Sequence, residues 1–233
     1  MDLNPQVVTL GFFWYIAFLF STVCHEGAHA LVAKLGGDPT AFEAGQVSLN
    51  PLPHIQREPF GLVLVPLLTY FLNGWMMGWA SAPYDPHWQR RHPRRAAWMA
   101  LAGPGANCTL MVLAGIGMRL GVARGIFQLS ESPSFASLVE ATNPERLGFL
   151  ATLLSIFFML NLILMTFNLL PVHPLDGSTG IALFLPEKTA VQLMDFYRGS
   201  GMAFMGIVIA WLAYGRVFRW LAPKAVELLF MNY

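Results

Sequence analysis

Residues 24–29, Cys24-His25-Glu26-Gly27-Ala28-His29, carry the side chains with the clearest capacity for chemistry in this 233-residue chain. Four residues of helix turn about 400°, so His25 and His29 project from one face a turn apart, as two metal ligands require. Glu26 sits beside them, able to take a proton from a metal-activated water. The chemistry this trio suits is metal-assisted hydrolysis. Packing offers a plainer account, in which both histidines hydrogen-bond neighbouring helices and Glu26 snorkels to an interface. Nothing in packing requires all three, however, and an ionisable group in an apolar span is costly.

The elements that must position this trio follow from the distribution of charge. The chain is 55% hydrophobic and 12% charged, with a net charge of +1 and a mean hydropathy of +0.52. Soluble domains carry about 25% charged residues. Glu26 is the sole charge between Asp2 and Lys34, and none occurs in 59–84, 96–118, 147–175 or 199–215. A spanning helix needs roughly 20 mostly apolar residues. The composition therefore implies a multi-pass protein of the cell membrane and excludes a soluble enzyme or a disordered regulator. Residues 1–233 read as a single membrane-embedded domain, since no soluble stretch is long enough to fold alone. No basic stripe with interleaved aromatics suggests nucleic acid. Cys24 and Cys108 lie in apolar windows and read as reduced thiols, and the N-terminus has no signal-peptide pattern.

Residues 6–35 read as one helix that starts at Asn4-Pro5 and stops at Gly36-Gly37. Alternation of Phe42, Ala44, Gln46, Ser48 and Asn50 with their neighbours predicts one or two short strands within 38–58. The window 59–84 is interrupted by Pro66, Gly74 and Gly78. Residues 85–95 hold four arginines against one aspartate, and Lys34 follows the first helix, so both flanks of this window read as cytoplasmic. The window is therefore expected to be re-entrant. Further spans are expected at about 96–118, 147–170 and 199–215. The tail 216–233 reads as an interfacial amphipathic helix or a partial return pass. The fold class is a membrane α-helical, polytopic bundle of about four to six spans, with a short β-hairpin and a re-entrant segment.

A catalytic zinc takes three protein ligands and leaves one position open. Few anions are available for the third, and Asp176 stands out at the end of the uncharged window 147–175. Prolines 171 and 174 and Gly177 break the helix there and free the chain to aim a carboxylate inward. Without the HExxH stretch, Asp176 would read as a turn or cap residue.

The HExxH stretch in an apolar helix, followed after a later span by Asn168-x2-Pro171-x4-Asp176-Gly177, resembles the site-2 protease family of intramembrane zinc metalloproteases. Ala102-Gly103-Pro104-Gly105-Ala106-Asn107 is similar to the Gly-Pro segment of that family's middle core helix. Residues 46–54, Gln-Val-Ser-Leu-Asn-Pro-Leu-Pro-His, are similar to a stretch of its small bacterial members. The likeness runs from about residue 20 to 180. It implies one Zn2+ per chain on His25, His29 and Asp176, Glu26 as general base, and Asn168 near the substrate or the developing oxyanion. It also implies transmembrane protein substrates, in regulated intramembrane proteolysis among other settings. An arginine often follows the family's Asp-Gly, whereas Ser178-Thr179-Gly180 stands here.

Two rival readings exist. A desaturase-type oxygenase needs about eight histidines for two irons, and this chain has six. A membrane metal-binding transporter or a catalytically inactive scaffold would use the ligands but have no need of Glu26. His54 and His173 lie in turns that could approach the metal. Asn107 and Asn161 read as helix–helix hydrogen-bonding groups. An extended substrate needs a strand edge to pair with, and residues 40–50 are expected to supply it. The oligomeric state is not legible.

Overall fold

The computed structural model describes residues 4–199, 201 and 203–231. Among them, four helices are long and apolar enough to cross a membrane: α1 (Pro5–Leu35), α6 (Pro93–Ala123), α7 (Pro144–Asn168) and α10 (Ala203–Phe230). The intervening helices are α2 (Thr40–Glu43), α3 (Pro51–Arg57), α4 (Val65–Asn73), α5 (Pro86–Arg91), α8 (Asp176–Gly180) and α9 (Glu187–Gly199). One two-stranded sheet, β1 (Phe127–Ser134) and β2 (Ser137–Ala141), joins α6 to α7. The chain is thus a membrane helical bundle with a short hairpin.

Local sequence explains where the long helices start and stop. The Asn4 side chain accepts from the Val7 amide at 2.8 Å and Pro5 takes the first turn, so α1 begins there. Its 31 residues rise about 46 Å. Asn143 caps α7 in the same way, with Pro144 following. α6 packs against both α1 and α7 and forms the middle of the bundle. Apolar cores lie around this trio. One joins α6, α7, the hairpin and the C-terminal half of α10, a second joins α1 to the 60–76 segment and α7, and a third seats Trp88 and α9 against the ends of α1 and α6.

The window 59–84 turns back on itself. A π-helical turn at Phe60–Leu64 leads into α4, and the 14 residues together rise about 21 Å, short of a 30 Å hydrocarbon core. Gly74 ends α4 at φ 78° and the chain returns without regular structure. The Met77 amide donates to the Thr69 hydroxyl at 2.9 Å and the Trp79 amide to the Gly61 carbonyl at 3.2 Å. At the mouth, Ser81 donates to the Glu58 carboxylate at 2.6 Å and Arg57 to the Ser81 carbonyl at 2.9 Å. Gly61 and Gly78 permit this approach, because a Cβ on either would enter the other limb's backbone.

Three expectations are corrected. The strands expected within 38–58 are α2 and α3 with turns between them. Asn50 accepts from the Leu52 amide at 3.1 Å with Pro51 at the first helical position, and Asp38 accepts from both the amide and the hydroxyl of Thr40. These are helix-start chemistries, and they override a weak alternation of small polar residues. The strand edge expected at 40–50 for substrate pairing is lost with them. The β-hairpin forms instead at 127–141, with Phe127, Leu138, Val139 and Ala141 buried against the bundle. The tail 216–230 is neither interfacial helix nor return pass but the continuation of α10. The stripe Gly206, Ala210, Tyr214, Phe218, Ala222 keeps an i, i+4 spacing through it, with Arg216 and Arg219 off the stripe. α9, which the sequence did not predict, is held by Arg90–Asp195 at 3.2 Å, Arg94–Glu187 at 3.7 Å and an Arg198–Gln89 hydrogen bond of 2.8 Å.

With Cys24 and Cys108 replaced by serine, Glu58→Cys and Ser81→Cys should each react with a membrane-impermeant maleimide from the same face of oriented vesicles. Labelling from opposite faces would show a crossing and overturn the returning segment.

Candidate metal centre

α1 delivers two imidazoles to one point. His25 and His29 lie edge to face, their centroids 4.6 Å apart and their Nε2 atoms 3.0 Å apart. Asp176, the first residue of α8, closes the group, with Oδ2 3.1 Å from His25 Nε2 and Oδ1 3.4 Å from His29 Nε2. The leucine-proline run after α7 turns the chain back to bring it there, and α8 packs on α6. Gly177 lies against the Leu169 and Leu170 carbonyls so tightly that no side chain would fit.

The outer nitrogens decide the chemistry of the inner ones. His25 Nδ1 donates to the Asn107 side-chain oxygen at 2.5 Å, and His29 Nδ1 donates to the Met99 carbonyl at 2.7 Å. Both acceptors are oxygens without a proton to give, so in the neutral rings Nδ1 carries the hydrogen and Nε2 bears a lone pair. Two lone pairs and a carboxylate therefore face one another inside the protein. Such a group repels itself unless a cation lies between its members.

Three observations show that the residues present fit a zinc ion. Donors on a tetrahedral zinc at about 2.1 Å stand roughly 3.4 Å apart, and the separations here, 3.0, 3.1 and 3.4 Å, lie within a few tenths of an ångström of that. Asp176 Oδ2 is buried and makes no hydrogen bond. Gly103 of α6 lies directly over the group, where a Cβ would run into both Nε2 atoms. A bare α-carbon there leaves room for the ion.

Glu26 is buried at 5% exposure yet makes no hydrogen bond or ion pair with any described residue. Asn168 stands apart from the group. It ends α7 and its Nδ2 donates to the Leu164 carbonyl of its own helix at 2.9 Å. His54 and His173 are not among the converging donors. His54 is buried and its Nε2 lies 3.0 Å from the Ser48 carbonyl, which stands 3.3 Å from where a Cβ on Gly27 would be. His173 stacks on Tyr197 at 5.0 Å, and partial burial pushes its imidazole below the ordinary value. The β-hairpin begins about 30 Å along α6 from Gly103, too far to touch the metal group.

From the sequence, Asn107 reads as a helix–helix hydrogen-bonding group or an aid to water delivery, not as a cap on His25, and Gly103 has no role of its own. Both face the metal group, and their i, i+4 spacing on α6 was the available signal. Met99 had no signal, since it acts through its backbone.

Comparison with known proteins adds independent findings. The model of "Peptidase family M50" matches residues 13–213. The chain is 32% identical over 179 residues to the protein of Bacillus subtilis (strain 168) named "Putative zinc metalloprotease YwhC", covering 76% of this chain and 71% of that one. It is 28% identical over 172 residues to "Putative zinc metalloprotease Rip2" of Mycolicibacterium smegmatis (strain ATCC 700084 / mc(2)155), covering 74% of this chain and 57% of that one. No solved structure matches.

Replacing the open α-carbon over the donors should exclude the ion while leaving the helices in place. Gly103→Ala is expected to lower zinc affinity about tenfold or more, measured by chelator competition on detergent-purified protein with unchanged helical circular dichroism. Undiminished zinc binding would refute the cradle.

Proposed function

We propose that this chain, which belongs to peptidase family M50 and is a membrane zinc metalloprotease, hydrolyses peptide bonds within or near transmembrane segments of other membrane proteins. In this reading His25, His29 and Asp176 hold one zinc, Glu26 is the general base and residues 1–233 act as a single membrane-embedded domain. The cell membrane is its site, and membrane-tethered regulators released by regulated intramembrane proteolysis are among its substrates. The observation that carries the reading is the convergence of three donors inside the bundle, with the buried Glu26 next to His25 in the same helix.

Zinc, when bound, supplies a Lewis acid that brings the pKa of water toward 7 and polarises a carbonyl oxygen. Glu26 takes the proton of the attacking water and passes it to the leaving amine. Asn107 and the Met99 carbonyl keep both imidazoles in the tautomer that leaves Nε2 free. In this reading Asn168 exchanges its bond to the Leu164 carbonyl for one to the developing oxyanion. The apolar shell of α1, α6 and α7 excludes bulk water, so a helical substrate must unwind a few residues to present an amide to this group.

A transporter or an inactive scaffold would share the donors, and Glu26 separates these readings. Glu26→Gln should keep one zinc per chain and lower cleavage of a transmembrane reporter by about 100-fold or more. Full activity in that variant would sink the proposal. Asn168→Ala should keep zinc and lower kcat by about 100-fold with little change in KM, read from initial rates in proteoliposomes. An unchanged kcat would remove Asn168 from the reaction.

A further inference from the structure

Asn107, which caps His25, ends a row of buried polar side chains whose other members the catalytic reading does not use. Ser21 of α1, Asn107 of α6 and Asn161 of α7 are each fully buried, at 0% exposure. Asn161 Nδ2 donates to the Phe157 carbonyl at 2.8 Å and to the Ser21 hydroxyl at 2.8 Å. Asn107 Nδ2 donates to Asn161 Oδ1 at 2.8 Å and lies 3.4 Å from the Ser21 carbonyl. Asn107 Oδ1 then receives the Nδ1 hydrogen of His25.

An asparagine amide has nearly the same shape in both orientations, so packing does not choose between them; hydrogen-bond partners do. The Phe157 carbonyl can only accept, which turns the Asn161 NH2 toward it and aims the Asn161 oxygen at Asn107. That oxygen can only accept, which turns the Asn107 NH2 toward it and aims the Asn107 oxygen at His25. His25 must then protonate at Nδ1 and leave Nε2 bare. Each link has one solution because the row starts at a backbone carbonyl. Without Asn161, the Asn107 amide is anchored only by the 3.4 Å contact to Ser21, at the long limit of a hydrogen bond. Reversed, its NH2 would face His25 Nδ1 and drive the hydrogen to Nε2, where it blocks a metal.

We infer that Asn161, which touches no ligand, is a positioning residue that fixes the metal-binding tautomer of His25 through Asn107. The inference rests on the metal-centre reading. The same row ties α7 to α1 and α6 at the level of the donors, and α7 leads into Asp176, so one side chain coordinates both sources of ligand.

The test compares the full chain, purified in detergent, with three variants. Zinc affinity is read by chelator competition, and geometry by the visible spectrum of the cobalt(II)-loaded protein. Asn161→Leu, similar in volume but without hydrogen bonds, should bind zinc about 10- to 100-fold more weakly and change the cobalt spectrum. Asn161→Asp should stay within about threefold of the parent, because its buried carboxylic acid can donate to the Phe157 carbonyl and accept from the Asn107 amide, as the asparagine does. Ser155→Ala is the control. It also removes buried hydrogen bonds on α7, to Ala151 and Leu138, but joins no path to His25, and it should leave both readouts unchanged. Affinity within about threefold of the parent in Asn161→Leu would overturn the inference, as would an equal loss in Ser155→Ala. If Asn161→Leu does not fold, Asn161→Ala replaces it, with the same expected loss and the same overturning result. A parent chain that binds no zinc would remove the metal-centre reading itself, and this inference with it.

Discussion

Two imidazole lone pairs and a carboxylate held within 3.0–3.4 Å of one another, in the interior of an apolar bundle, set the terms for the rest of this protein. Buried polar groups are tolerable only when partnered, and charge is more demanding still. The demand is met on two sides. Zinc is the natural partner on the inner side, where the donors face one another. On the outer side, each ring nitrogen is capped by an oxygen, from Asn107 in one case and from the Met99 backbone in the other. Both caps come from α6, which is why that helix must run through the middle of the molecule.

The surrounding architecture brings α6 close. Gly103 lets the helix backbone lie against both histidines. Small residues on α1, Ala17 and Ser21 among them, allow a similar approach on the preceding turns, as close helix packing in membranes generally requires. The Asn107–Asn161–Ser21 row then locks three helices in one register around the metal group. In lipid there is little hydrophobic force between helices, so such polar ties and close contacts carry more of the task of orientation than they would in a soluble protein. The returning 59–84 segment is built on the same device, two glycine-mediated backbone approaches closed at the mouth by Arg57, Glu58 and Ser81.

The parts of the molecule differ in how they are held. α1, α6 and α7 pack on one another, whereas α10 keeps only a narrow buried stripe and leaves Phe204, Leu212 and Trp220 outward for lipid. Trp211 stacks on Trp75 of the returning segment at 6.3 Å, Tyr214 bonds to Thr166 at 2.6 Å, and Leu221, Ala222 and Leu229 pack into the core with α6 and α7. α9 is held by the buried side chains Ala190 and Met194 in the Trp88 core, and by solvent-facing ion pairs of small individual worth.

Much of this was legible in the residues alone, because the governing rules are local. Length and the absence of charge define the long spans. The helical turn puts His25 and His29 on one face, and in so apolar a chain Glu26 and Asp176 stand out as groups that need a reason. The family likeness followed from two motifs in order. What the residues could not show depends on contacts between distant parts of the chain. Asn107 meets His25 across 82 residues and Asn161 meets Asn107 across 54, and no periodicity records either pairing. The alternation at 40–50 suggested strands, yet Asn50-Pro51 and Asp38-x-Thr40 start helices there, while the hairpin formed at 127–141 on a surface that only the packed α6 and α7 provide. Residue type and spacing alone determined which atoms could bind a metal. Tertiary structure decided which tautomer those atoms hold, since that choice is made by hydrogen-bond partners on other helices.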